Sequence, residues 1–323
     1  MQEVVADDRQ QSLFYVAGFG VHKNANGLEE FYMSLLQSIF MGILQGLTEF
    51  LPVSSSGHLA LFKNIFNINT ETGLLFDTML HLGTLAAVCI IYWKDIWNLI
   101  VAGVQLLGGI VSNFRTFLGN RKGGNAPYKR LIDNAYKKFV VLILVTTIPT
   151  GIMGVAFSSL IEKASQTLLV PGICLVITAI LLLIADTRPA GRKKVKKTSY
   201  ANAAVIGVAQ GFATFPGLSR SGTTITACLM LGFDRAFAVK YSFIASIPAI
   251  LGANILELRH LNAAALAGAN FGYYFIGMVV AGIVGFICIK IMIYVVRSNK
   301  FQYFAYYCAV IGIVAIIAYF VKG

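Results

Sequence analysis

Charge is scarce in this sequence. Of 323 residues, 12% are charged and 57% are hydrophobic, whereas a soluble domain carries about 25% charged residues. That excludes a soluble globular fold and leaves a polytopic membrane protein. Paired cysteine spacing is missing too. Cys89, Cys174, Cys228, Cys288 and Cys308 lie in apolar runs with no CxxC and no nearby histidine. They read as small core residues, not as a metal or redox site. Residues 1–30 lack the basic start and apolar core of a signal peptide. They carry Glu3, Asp7, Asp8, Glu29 and Glu30 instead, and residues 1–32 are expected to form a poorly ordered tail. The net charge of +12 does not point to nucleic acid, because its basic residues gather in a few loops, as orientation signals do.

What the sequence does contain is a repeat. Residues 42–57, GILQGLTEFLPVSSSG, align without a gap on 207–222, GVAQGFATFPGLSRSG, 165 positions on. Seven of sixteen positions are identical: Gly42/Gly207, Gln45/Gln210, Gly46/Gly211, Phe50/Phe215, Ser54/Ser219, Ser56/Ser221 and Gly57/Gly222. Two differences stand out. Glu49 faces Thr214, and Ser55 faces Arg220.

Each copy reads as a helix, a break and a second helix. Residues 33–50 are apolar and stop at Pro52, since proline disfavours helix at the residue before it. The serines restart a helix to about Phe66 as N-caps. Each piece is too short to cross a core about 30 Å thick, so 33–66 is expected to be a re-entrant hairpin. Residues 201–231, broken at Pro216-Gly217, are expected to form the second. Spans are expected at 74–93, 139–157, 168–185, 236–256, 271–295 and 303–321. The stretch 96–112 has basic flanks and reads as an interfacial helix on the cytoplasmic side. The basic loops 113–138 and 186–198 are placed in the cytoplasm, and the sparse loops 158–167 and 257–270 outside. The expected fold is therefore an all-α membrane protein of six transmembrane helices plus two re-entrant hairpins. Its first repeat is 33–200 and its second, inverted repeat 201–323. Such repeats place their site near the midplane, where half-helix N-termini suit an anion.

The chemistry-bearing residues collect at the two breaks. Gln45 and Glu49 share a helix face at i,i+4. A carboxylate in a membrane helix costs roughly 2.5–3.5 kcal/mol on insertion scales unless paired or wet. Glu49 is read as a metal ligand or a general base, or as a tie to Arg220 between the repeats. Ser54, Ser55 and Ser56 exceed what one cap needs, and a serine beside an acid or His58 can be a nucleophile. Arg220, between Ser219 and Ser221, offers a fork of donors that fits phosphate. Thr223 and Thr224 extend that hydroxyl-rich turn. Asp77 and His81, also i,i+4, read as a helix–helix hydrogen bond or as support for the site, and Asp186 as a cap or loop anchor.

Residues 45–58 (QGLTEFLPVSSSGH) and 216–224 (PGLSRSGTT) resemble the two signature motifs of the undecaprenyl-diphosphate phosphatases of the bacitracin-resistance type. The resemblance runs from about Met33 to the C-terminus. It implies hydrolysis of a C55 lipid diphosphate to the monophosphate in the bacterial cytoplasmic (inner) membrane, at a site open to the outer side. It also implies a divalent cation, Mg2+ or Ca2+, and catalytic residues at Glu49, Ser55, His58 and Arg220. Gln45, Ser54, Ser56, Ser219, Ser221 and Thr224 are the expected phosphate-binding groups. The family's first motif has Glu or Gln at the position of Gln45. With Gln there, Glu49 is the one carboxylate for a metal, with Gln45 beside it. The expected partners are the polyprenyl diphosphate substrate and membrane lipid. The sequence does not set the oligomeric state, and a homodimer is the assembly considered.

A rival family, the type-2 phosphatidic acid phosphatases, needs a second histidine six residues after its motif arginine. Here that residue is Thr226, which excludes it. A transporter or flippase of a polyprenyl phosphate lipid is the remaining alternative. Phosphate release in detergent, where there are no two sides, separates it from an enzyme.

Overall fold

A computed structural model of the chain describes residues 20–23, 29–32, 34–66, 70–259 and 270–322. The tail expected at 1–32 lies largely outside the described residues. Within it, β1 (Gly20–Lys23) and β2 (Glu29–Tyr32) pair antiparallel, Gly20 opposite Tyr32, a small departure from an all-helical chain. The other long elements among the described residues are α-helices: α1 (Leu35–Phe50), α2 (Ser55–Phe66), α3 (Thr70–Ile91), α4 (Trp93–Arg121), α5 (Ala135–Ala156), α6 (Ser158–Ser165), α7 (Leu169–Thr187), α8 (Tyr200–Phe212), α9 (Arg220–Met230), α10 (Arg235–Leu258), α11 (Phe271–Arg297) and α12 (Gln302–Lys322).

The local causes recur at the repeat spacing. Ser34 caps α1 in a capping box with Gln37, and Ser199, 165 residues later, caps α8 in a box with Asn202. Such boxes satisfy two orphan N–H groups reciprocally. α1 ends at Leu51, which is extended ahead of Pro52. α8 ends at Ala213, and Gly217 turns the chain with φ +93°, a conformation glycine adopts without penalty.

α1 packs on α11, and α8 packs on α5, so each hairpin arm leans on a helix from the other half of the chain. Glycines allow the approach. A Cβ at Gly46 would sit 2.7 Å from Val284 Cβ, and one at Gly211 2.6 Å from Met153 Sδ. α7 and α12 form a third tight pair.

Among the described residues seven helices are long and apolar enough to cross a membrane, α4 among them, one more than the six expected from sequence. Only Ala102 and Leu106 of α4 are buried. Near its start, Asp95 meets Lys240 at 2.8 Å and accepts from the Tyr136 hydroxyl at 3.4 Å. Sequence reasoning placed a loop at 158–167. The structure forms the short α6 there, in a stretch with no proline or glycine to interrupt it.

The basic loops meet at one end. Lys138 Nζ donates to the Lys196 carbonyl at 2.7 Å, and Arg235 donates to the carbonyls of Arg188 and Val296. Asp186 anchors the start of α12, accepting from the Phe301 and Gln302 N–H groups at 3.0 and 2.7 Å.

Candidate active site

The two breaks touch. A Cβ at Gly57 would fall 2.6 Å from Gly217 Cα, and one at Gly222 3.2 Å from Pro52 Cβ. Each break is held by a matching cap. The Ser54 hydroxyl accepts from the Gly57 N–H at 3.2 Å, and the Ser219 hydroxyl accepts from the Gly222 N–H at 3.1 Å. Each is also clamped from a neighbouring helix. Thr178 of α7 donates to the Gly217 carbonyl at 3.0 Å, while the Cys308 thiol of α12 lies 3.6 Å from the Pro52 carbonyl.

Glu49 is the centre of what these breaks bring together. It lies in the last turn of α1, 5% exposed, and its carboxylate is shared among four groups. Oε1 takes the guanidinium of Arg220, the first residue of α9. Oε2 accepts from the Ser55 hydroxyl at 2.6 Å and from the Gln45 amide at 3.1 Å. His81 Nδ1, on α3, is 3.7 Å from the same oxygen and 3.0 Å from Gln45 Nε2. A buried carboxylate left unpaired would cost several kcal/mol. Here the arginine and two hydrogen bonds offset that cost. The Arg220 side chain is 21% exposed against 3% for Glu49, so the cation reaches out of the site where the anion does not.

The other expected residues divide. Ser55 is half-buried and Ser56 exposed beside it. Ser54 and Ser219 are buried caps, their hydroxyls 3.4 and 3.3 Å from those of Ser56 and Ser221. Ser54 holds φ +71°, left-handed backbone that costs a non-glycine residue roughly 1–2 kcal/mol. His58 turns away from Glu49. Its Nδ1 donates to the Ser54 carbonyl at 2.8 Å, and its Nε2 accepts from the Tyr307 hydroxyl at 2.8 Å. The two rings stack, 5° from parallel. Thr224 also points elsewhere, its hydroxyl 2.5 Å from that of Ser242. Thr223 Oγ1 is buried with no partner among the described residues.

The sequence reads His81 as a helix–helix contact or as support for the site. It makes that contact, to Gln45, and the same ring also sits beside Glu49. The i,i+4 pair with Asp77 marked the residue, and nothing marked the distance. Tyr307 carried no signal, being one of several tyrosines in α12.

Among the described residues no three His, Cys, Asp or Glu side chains group as a metal site. The buried Gln45 Oε1 has no hydrogen-bond partner among the described residues, and the Gln45 and Glu49 side chains together carry oxygen donors for a cation. That donor set suits a hard cation that keeps waters and takes its remaining ligands from phosphate.

The family model described as bacitracin resistance protein BacA matches residues 38–314. The chain is 39% identical over 285 residues to the undecaprenyl-diphosphatase of Methanosphaera stadtmanae, covering 88% of this chain and 98% of that one. It is 38% identical to that of Halothermothrix orenii, with the same coverage. To that of Desulforapulum autotrophicum it is 40% identical over 291 residues, 90% of this chain and all of the relative.

Proposed function

The chain belongs to the bacitracin resistance protein BacA family, and we propose that it is an integral membrane phosphatase that hydrolyses undecaprenyl diphosphate to undecaprenyl phosphate and inorganic phosphate. The product is the recycled lipid carrier of cell-wall synthesis. Removing the diphosphate would account for bacitracin resistance.

The observation that carries this reading is the hydroxyl of Ser55 donating to Glu49 while Arg220 holds the other carboxylate oxygen. A serine bonded to a base is an activated nucleophile. Ser55 Oγ attacks the terminal phosphorus, its proton passes to Glu49, and the bond to the bridging oxygen breaks to release the lipid monophosphate. Glu49 releases its proton to solvent, water attacks the phosphoserine, the Oγ–phosphorus bond breaks, and the water's proton passes by way of Glu49 to Ser55 Oγ as inorganic phosphate leaves. Arg220 keeps donors free of Glu49 for the diphosphate and stabilises the charge that develops there. His58, with both ring nitrogens engaged, positions Ser54 and the start of α2. His81 and Gln45 hold Glu49 in place. Ser56, Ser221 and the N–H groups at the starts of α2 and α9 complete the phosphate cradle. Glu49 and Gln45 would hold Mg2+ or Ca2+, which when bound would neutralise part of the diphosphate charge.

The experiment is phosphate release from the lipid diphosphate in detergent, with acid trapping of labelled phosphoserine. Transport without hydrolysis would support the flippase alternative and overturn this reading.

Two further features belong to the proposal. The halves 33–200 and 201–323 are inverted repeats in the cytoplasmic membrane, with six crossings and the site open to the outer side. The paired capping boxes, the paired break caps and the cross-packing of α1 on α11 and α8 on α5 support this. The helix α4 lies along the cytoplasmic face. Lys193→Cys should therefore resist an impermeant thiol reagent added outside and react once the membrane is opened. Labelling from outside would overturn the inverted arrangement.

A further inference from the structure

A groove of about 810 Å3 opens at the basic end of the molecule, away from Glu49, between α4, the loop 122–134 and the link from α7 to α8. Lys129, Arg130 and Lys138 line it together with Leu131, Asn113 and Tyr200. No carboxylate is among its lining residues. The nearest acid in sequence, Asp133, is paired with Lys137 at 2.8 Å, whose ammonium holds that carboxyl below its ordinary range.

The groove is built, not a chance fold of an exposed loop. Asn113 of α4 grips the backbone of Lys129 from both sides, donating to its carbonyl and accepting from its N–H, each at 2.8 Å. Asn120 grips Ala126 the same way, at 2.9 and 2.8 Å. Leu131 rests on Gly109, where a Cβ would sit 2.9 Å from Leu131 Cδ2. These contacts hold two exposed cations, Lys129 and Arg130, over the groove; the carboxylate near Arg130, Asp133, is already paired with Lys137. On the other wall Lys138 is fixed by the Lys196 carbonyl. Beside the groove, on the flank of α4 next to Asn113, Ile110, Phe114 and Phe117 are exposed.

The geometry points to a binding site for one anionic phospholipid, its phosphate held by Lys129, Arg130 and Lys138 and its acyl chains lying along the apolar side of α4. Positive charge over a groove bordered by apolar helix matches a phosphate headgroup attached to hydrocarbon, and basic pockets between membrane helices bind such headgroups. Lipid held there would fasten α4 to the membrane surface. The site stands apart from the hydrolytic one and does not depend on it.

The test uses the full chain, delipidated in detergent and examined by native mass spectrometry with phosphatidylglycerol, phosphatidylcholine or inorganic phosphate. Phosphatidylglycerol should form a one-to-one adduct and phosphatidylcholine should not. Each basic contact is worth about fivefold, so Lys129→Gln/Arg130→Gln should weaken the adduct about 25-fold. Asn113→Ala, which frees Lys129 without changing charge, should weaken it too. Arg121→Gln/Lys122→Gln removes the same charge outside the groove and should leave the adduct intact. Equal loss in that control, equal binding of phosphatidylcholine, or displacement of the lipid by millimolar inorganic phosphate would each overturn the proposal.

Discussion

The breaks after α1 and after α8 are two versions of one device, and they differ at two places that matter. Both are capped by a serine on a glycine N–H three residues on, and both place a second serine hydroxyl near the cap. At the diverged positions the copies part. Where the first has Glu49, bonded to Ser55, Gln45 and Arg220, the second has Thr214, whose hydroxyl folds back on the Gly211 carbonyl of its own helix at 2.7 Å. Even the shared glutamine diverges in use. Gln45 serves Glu49 and His81, while Gln210 donates to Thr150 at 3.3 Å. The identical serines and glycines build the break; the differing positions hold the carboxylate, hydroxyl and guanidinium that meet at Glu49. Neither copy makes a site alone, because the acid and the hydroxyl come from one and the fixed cation from the other.

The sharpest way to break this comparison is at Ser55. Ser55→Ala should give no detectable phosphate release while the substrate still binds, because a covalent nucleophile has been removed. Ser55→Asn keeps a side chain that can still donate to Glu49 but lacks the hydroxyl, and it should be equally inactive. Near-normal turnover of Ser55→Asn would make Ser55 a structural partner of Glu49 and pass the attack to another group or to water. Arg220→Lys comes next. Lysine preserves an ionic tie to Glu49 but not the fork of donors, so turnover measured in detergent should fall about 10²–10³-fold, the range for losing one stabilising donor. Retained turnover would reduce Arg220 to a tie between the two halves. His58→Ala should be milder, about 10²-fold or less with residual release at pH 7, at the low end for a lost acid–base group. Tyr307→Phe should reproduce part of it. A dead His58→Ala would make His58 itself a candidate for the attack.

Much of the helical order was legible because membrane helices announce themselves by length and apolarity. α1 and α2 are the two helices expected within 33–66, and α3, α5, α7, α10, α11 and α12 fall where long apolar helices were expected. The contact between the breaks was legible because the repeat aligned Ser55 with Arg220 and the serines with each other. Three things were not. The ring of His58 was expected to serve Ser55, yet backbone direction at Ser54 turns it to Tyr307, and φ +71° at a serine has no sequence signature. His81 reaches Glu49 through the packing of α3 beside α1, a distance that i,i+4 spacing within α3 cannot report. Thr224 was expected to face phosphate, but the face of α9 that packs on α10 claims its hydroxyl.

The smallest expected effect tests the shared part of the two breaks. At Ser219, with φ −64°, the side chain is the whole reason for a serine, and Ser219→Ala should cost about 1 kcal/mol of stability. At Ser54 the backbone is left-handed, so the serine supplies a cap and pays strain for it. Ser54→Gly loses the cap at a cost of a few tenths of a kcal/mol and removes a penalty of roughly 1–2 kcal/mol. The loss of chain stiffness in the unfolded state returns part of that gain. Thermal unfolding in detergent should therefore show Ser54→Gly within about 1 kcal/mol of the parent, and Ser219→Gly no more stable than it. If Ser54→Gly and Ser219→Gly shifted the midpoint equally, the left-handed turn at Ser54 would carry no strain and the two breaks would be energetically alike.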